Sequence, residues 1–230
     1  MKLSVFLDHL LRAAEQTGLP LADVIARAQQ EGLHAVECDL AALEQETIRR
    51  TLRETNMAVS GIYTSFDFRL KGYEKGVKRL LDRAAEMNAG CVMPLPGLLR
   101  EGEDLEATRR VMADGVSRVC ELAKAYGLQV VLEDFGSPRA PFGPLQGLSW
   151  FLEQVPALGC ALDSGNFRIH AQDALAAWGL TGEPAFAGTG THIFTHVEWH
   201  MTGYVLRVRG RGPEDFVWAR GEALASLAVP

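Results

Sequence analysis

Residues 191–208, THIFTHVEWHMTGYVLRV, hold three of the chain's six histidines and two strand-like runs, HIFTHVEW and YVLRV, with only a few residues between them. Parallel neighbours in a sheet need a crossover of roughly a dozen residues or more, so the two runs are expected to pair as an antiparallel hairpin. The expected turn is His200 to Gly203, with residues 191–198 and 204–210 as its arms. Strand periodicity along the first run would put His192, Phe194, His196, Glu198 and His200 on one face and Ile193, Val197 and Trp199 on the other. That alternation fits a metal-binding face, and it fits equally a half-buried strand whose polar face meets water.

Everything before about Leu180 repeats a different unit: a short apolar run, a polar loop, an amphipathic helix, a glycine or turn residue, and the next apolar run. The strands read as LSVFL (3–7), HAVECDL (34–40), AVSGIYT (58–64), CVMPL (91–95), QVVLED (129–134) and CALDS (160–164). Between them, Val77, Leu80, Leu81, Ala84 and Ala85 fall on one helical stripe, and Val111, Val116, Val119 and Leu122 on another. Gly32, Gly90 and Gly127 each stand between a helix and the next strand, where a left-handed turn is expected. Apolar strands alternating with helices predict a parallel sheet. No glycine-rich phosphate loop follows the first strand, and carboxylates recur at strand ends, so an α/β barrel is favoured over an open sheet. Six βα units are countable. Residues 179–190, with TGEPAFAGTG, read as a linker to a tail over 191–230.

Composition narrows the classes. The chain has 230 residues, 47% of them hydrophobic, and a net charge of −6, so a core is affordable and a broad nucleic-acid footprint is not expected. The opening MKLSVFLDHLLR is broken by Asp8 too early for a signal peptide, and no stretch approaches the roughly 18 to 20 apolar residues of a membrane span. A cytoplasmic protein without a membrane partner is the expectation, with a homo-oligomer left open. Cys38, Cys91, Cys120 and Cys160 are widely spaced and read as buried reduced thiols.

The site signal is a pair of strand ends: VVLEDFGSP with Glu133, and CALDSGNF with Asp163 and Asn166. Carboxylates at the C-terminal end of barrel strands can bind a hard divalent cation or divide into an acid and a base. The alternative is that they cap the following helices. Asp8, Glu37 and Asp67 also fall near strand ends, as mouth residues or as solvated loop charges.

VVLEDFGSP and CALDSGNF, with AVSGIYTSFDF and QDALAAW, resemble the sugar phosphate isomerase/epimerase family of xylose-isomerase-like barrels over residues 1–178. The resemblance implies an incomplete barrel of about six βα units acting on a small sugar or sugar phosphate. Glu133 would be the catalytic carboxylate, and Glu133 and Asp163 would be ligands of a divalent ion such as manganese, magnesium or cobalt. Glu37 and Asn166 would face the substrate, with His196 the tail's candidate third ligand. The family's histidine strand and its closing glutamate have no counterpart here, which implies weak metal binding and impaired activity. Residues 185–230 are in turn similar to part of the Nudix-like C-terminal domain of A/G-specific adenine DNA glycosylases. Phe194, Thr195 and His196 would stand at that domain's oxidised-guanine-recognising loop, the alternative being a non-catalytic binding module or a chimeric chain whose tail derives from such a repair domain.

Overall fold

The computed structural model describes residues 3–137, 139–143, 145–161, 179–182, 184–194 and 197–210. They belong to two compact units, Met1–Ile169 and His170–Pro230. In the first, strands and helices alternate: β1 (Leu3–Phe6), α1 (Leu7–Thr17), α2 (Leu21–Gln30), β2 (Leu33–Asp39), α3 (Glu46–Glu54), β3 (Ala58–Phe66), α4 (Tyr73–Glu86), β4 (Cys91–Pro96), α5 (Leu105–Lys124), β5 (Gln129–Glu133), α6 (Leu145–Gln154) and β6 (Gly159–Ala161). The six strands pair in the order β1-β2-β3-β4-β5-β6, every neighbour parallel. The expected sequential parallel order therefore holds, and the described strands make a curled partial barrel.

Register decides which side chains face the lumen. Val92, Pro94 and Pro96 of β4 are buried while Cys91, Met93 and Leu95 are partly open, so the strand has one face toward the helices and one toward the lumen. Phe6 pairs with Glu37, Glu37 with Gly61, and Gly61 with Cys91, one row across four strands on the lumen face. The next row carries Asp39, Tyr63 and Met93. A register shift after Val36 skips Ser60, and this is what brings Tyr63 onto the lumen side.

The outer layer is amphipathic helix against sheet. In α4, Val77, Leu80, Leu81 and Ala84 are buried, as expected, but Ala85 is exposed, because it lies one residue around from that stripe. In α5 the buried stripe is Thr108, Met112, Val116, Val119, Cys120 and Ala123. Val116 and Val119 are buried as expected, but at the ends of the stripe Val111 is 41% exposed and Leu122 only partly buried, with Met112 and Ala123 buried beside them. The start of α5 is capped by the Asp104 carboxylate, which accepts from the Ala107 N–H at 2.8 Å.

Gly32 and Gly127 do take positive φ, +87° and +65°, but Gly90 does not; the left-handed residue there is Asn88, at +50°. Gly90 is needed for space. A Cβ on it would lie 2.8 Å from the Ser60 carbonyl oxygen of the adjacent strand. Gly90→Ala should therefore destabilise the chain by about 1–3 kcal/mol, the usual range for overpacking. Denaturant unfolding of the variant beside the parent checks this.

The second unit contains β7 (Pro184–Phe194) and β8 (Val197–Leu206), paired antiparallel from Phe194–Val197 to Pro184–Leu206. Thr181 and Arg209 extend the ladder by exchanging backbone hydrogen bonds of 2.8 and 2.7 Å. The hairpin is present, but its reversal falls between Phe194 and Val197 rather than at His200 to Gly203. His192 is opposite Trp199, and Thr191 opposite His200. The single alternation expected along HIFTHVEW therefore does not exist, and β7 begins inside the stretch read as a linker. The shorter connection wins because it lets the Thr/Gly segment 188–191 join the ladder and satisfy its backbone groups.

Candidate active site

The C-terminal ends of the parallel strands open onto a cavity of about 260 Å³. Among the described residues, Glu37 from β2, Glu133 from the end of β5 and Asp8 from the first turn of α1 are the carboxylates that line it. Phe6, Tyr63, Met93, Leu95 and Phe135 supply an apolar and aromatic wall. Glu37 is steadied by the Ser4 hydroxyl, which donates to its Oε1 at 3.1 Å. Phe6 packs edge-on against Tyr63, ring centroids 5.9 Å apart, and against His9 at 5.8 Å.

Glu37 and Glu133 thus line one cavity. Asp163, Asn166, Thr195 and His196 lie outside the described residues, and Phe194 is the last residue of β7. Asp67 is not among the residues lining the cavity. It accepts from Arg69 at 2.6 Å and also binds Arg100, and the Arg69 bond holds its carboxyl below the usual carboxylate range. Sequence patterns do not single out Tyr63, Phe6 and Met93, since only register reveals that they face the lumen, nor Phe135, which lines the cavity from just beyond β5. Of the cysteines, Cys38 and Cys120 are buried, Cys91 is intermediate and Cys160 is exposed, so the expectation of four buried thiols fails at β6, where the short strand leaves Cys160 uncovered.

Burial, and then the negative charges of Asp8, Asp39 and Glu37, push the Tyr63 phenol up to about 12. It therefore stays a hydrogen-bond donor at neutral pH. Because the folded pKa is raised above an ordinary phenol value of about 10, the associated stability is complete below pH 10 and lost as pH rises toward 12. An absorbance titration should show a tyrosine step near pH 12 that Tyr63→Phe removes.

The rim is held by arginines on three successive loops. Arg69 also pairs with Glu103 at 2.5 Å, joining the loops after β3 and β4. Arg139, after β5, donates through Nε and Nη2 to the Leu99 carbonyl at 3.0 and 2.8 Å, and its own carbonyl accepts from the Leu99 N–H at 2.8 Å.

Among the described residues, no three His, Cys, Asp or Glu side chains converge on a point that could hold a metal. Glu133 is a hard oxygen donor of the type manganese and magnesium prefer. It is one of the two ligands that the family resemblance implies; the other, Asp163, and the tail's candidate ligand, His196, fall outside the described residues.

Residues 11–193 match the family described as xylose isomerase-like TIM barrel, and the chain belongs to that family. The match runs past residue 178 and through most of β7. No curated protein matches the sequence. Among solved structures, the chain is similar to AsbF of Bacillus anthracis, a probable 3-DHS dehydratase involved in petrobactin synthesis, with 19% identity and TM-score 0.58. That likeness covers 76% of this chain and 66% of the other. A sugar phosphate isomerase/epimerase of Parabacteroides distasonis gives 14% identity and TM-score 0.57, over 77% and 73% of the two chains. The 3-keto-D-glucoside 4-epimerase YcjR of E. coli gives 16% and 0.53, over 68% and 69%. At these identities the likeness is one of fold. The chain spans less than two thirds of the dehydratase's length.

Proposed function

We propose that this chain is a sugar isomerase- or epimerase-like protein that moves a proton on the carbon next to a ketose carbonyl. The observation that carries the reading is Glu133 at the C-terminal end of β5, in a cavity that also holds Glu37 and Asp8. In this reading Glu133 takes the proton, and the C–H electron pair passes into an enediolate whose charge rests on the former carbonyl oxygen. The protonated Tyr63 hydroxyl is a donor for that oxygen, and Glu37 accepts from a sugar hydroxyl. Returning the proton to the neighbouring carbon, while that carbon's oxygen takes the proton of the adjacent hydroxyl, gives the isomer; delivery of a proton to the opposite face of the original carbon, by a group other than Glu133, gives the epimer. A divalent ion held by Glu133 and Asp163 would supply Lewis-acid polarisation of the carbonyl.

An isomerase and C3-epimerase assay over small ketoses, with and without manganese, tests the proposal. Conversion that depends on Glu133 is the expected result, and no conversion of any ketose would contradict it. Calorimetry with manganese should show weak binding, lost in Glu133→Gln.

A second reading concerns residues 194–230, which the family match leaves uncovered. β7 ends at Phe194, the first residue of the Phe-Thr-His sequence, and β8 begins at Val197. That position supports a binding module whose tail is of the oxidised-guanine-recognising type. Anisotropy with duplexes carrying oxidised guanine opposite adenine, against undamaged controls, separates this reading from the first.

A further inference from the structure

Phe135 lines the cavity from just beyond β5, and a relay of backbone hydrogen bonds reaches it there. Its N–H donates to the Gly143 carbonyl at 3.2 Å, the Gly143 N–H to the Ala140 carbonyl at 3.0 Å, and the Ala140 N–H to the Ser137 carbonyl at 2.9 Å. The first of these contacts requires glycine, since a Cβ on Gly143 would lie 2.3 Å from the Phe135 carbonyl oxygen. Arg139 joins this relay to the loop after β4. Its Nε and Nη2 both donate to the Leu99 carbonyl, at 3.0 and 2.8 Å, and its own carbonyl accepts from the Leu99 N–H at 2.8 Å. The Leu99 loop is tied in turn to the end of β3, where the Gly97 N–H donates to the Phe66 carbonyl at 2.9 Å.

We infer that Arg139 is a positioning residue: its clasp on Leu99 anchors the relay and so fixes Phe135 in the cavity wall, against the substrate of the proton-transfer reading on which this inference rests. Two of the three bonds between Arg139 and Leu99 run from a charged donor, and such bonds are shorter and stronger than neutral ones. The inner side of the stretch is held differently. Ala140 and Phe142 are buried, and the Phe142 ring packs against Phe135 and Phe151, with centroids 5.8 and 6.3 Å apart. Arg109 of α5 adds a bond from Nε to the Pro141 carbonyl at 3.1 Å. Arg139 itself is exposed, so replacing it removes the outer anchor and leaves this packing in place. A small displacement of a wall residue is enough to weaken substrate alignment.

The test is residue-resolved amide hydrogen exchange of the full chain and of Arg139→Ala, with kinetics on the ketose that the parent converts. In Arg139→Ala the amides of Leu99, Ala140, Gly143 and Phe135 should exchange roughly ten- to a hundredfold faster, the scale of a lost hydrogen bond to a charged group. Those of Val130 and Leu132, inside β5, should exchange as in the parent. Arg139→Lys keeps one cationic donor for the Leu99 carbonyl and should restore much of the protection. KM should rise roughly tenfold in Arg139→Ala with kcat within about threefold, and the same change should add nothing in a Phe135→Ala background. Unchanged exchange at the Phe135 amide, or KM losses that add in the double variant, overturns the inference and leaves the proton-transfer reading standing. Faster exchange at Phe135, rescued by lysine, in a chain that converts no ketose sustains the anchoring of Phe135 and sinks that reading.

Discussion

Replacing Glu133 with Gln should lower ketose turnover by about a hundred- to ten-thousand-fold, the usual contribution of a positioned general base. Glutamine keeps the shape and one acceptor oxygen, but it cannot take up a proton at neutral pH. Glu133 ends β5, whose Val130, Val131 and Leu132 are buried, so the strand fixes where the side chain leaves the sheet. Its register partner is Ala161 of β6. The backbone of the variant should therefore be unchanged, and circular dichroism and the unfolding midpoint should match the parent. Kinetic loss with unchanged folding separates a chemical role from a structural one.

The largest stability effect is expected at Leu80→Ala, about 2–5 kcal/mol, the range measured for removing a buried leucine side chain and leaving a cavity. Leu80 is fully buried on the inner face of α4, in the stripe with Val77, Leu81 and Ala84, and this helix packs on β3 and β4. A close-packed layer between helix and sheet cannot collapse around the missing atoms. Val111→Ala on α5 is the matched control: its side chain is 41% exposed, and the change should stay within about 0.5 kcal/mol. Urea unfolding of both variants checks the pair, and a loss at Val111 equal to that at Leu80 would show that the helices pack differently.

Much of this arrangement was legible in the residues themselves. Strands such as CVMPL and QVVLE are short apolar runs bounded by turn residues, and the helices between them carry a 3.6-residue stripe, so sequential parallel order was the economical topology. Glu133 was legible because a carboxylate directly after an apolar strand stands at the open end of a barrel. Tyr63 was not, since its facing depends on the skipped Ser60, a feature of pairing between strands that no local pattern encodes. The difference at the start of the α5 stripe has a similar cause: Met112 and Val111 fit the periodicity almost equally, and packing on the sheet chooses between them. The hairpin was legible as antiparallel from its short connection, whereas its turn was not. Met201-Thr202-Gly203 resembles a turn in composition, yet a longer ladder forms when the chain reverses between Phe194 and Val197.

With Glu133 as the base, the cavity that holds it should exchange a proton beside a ketose carbonyl. The most direct measurement is deuterium incorporation: the full chain and Glu133→Gln are incubated with a panel of small neutral ketoses in heavy water with manganese, and the sugar protons are followed by NMR. Deuterium should appear at the carbon next to the carbonyl with the parent chain and fall to the uncatalysed level with Glu133→Gln. Incorporation that is equal in both proteins, or absent from every ketose with the parent, would contradict the account.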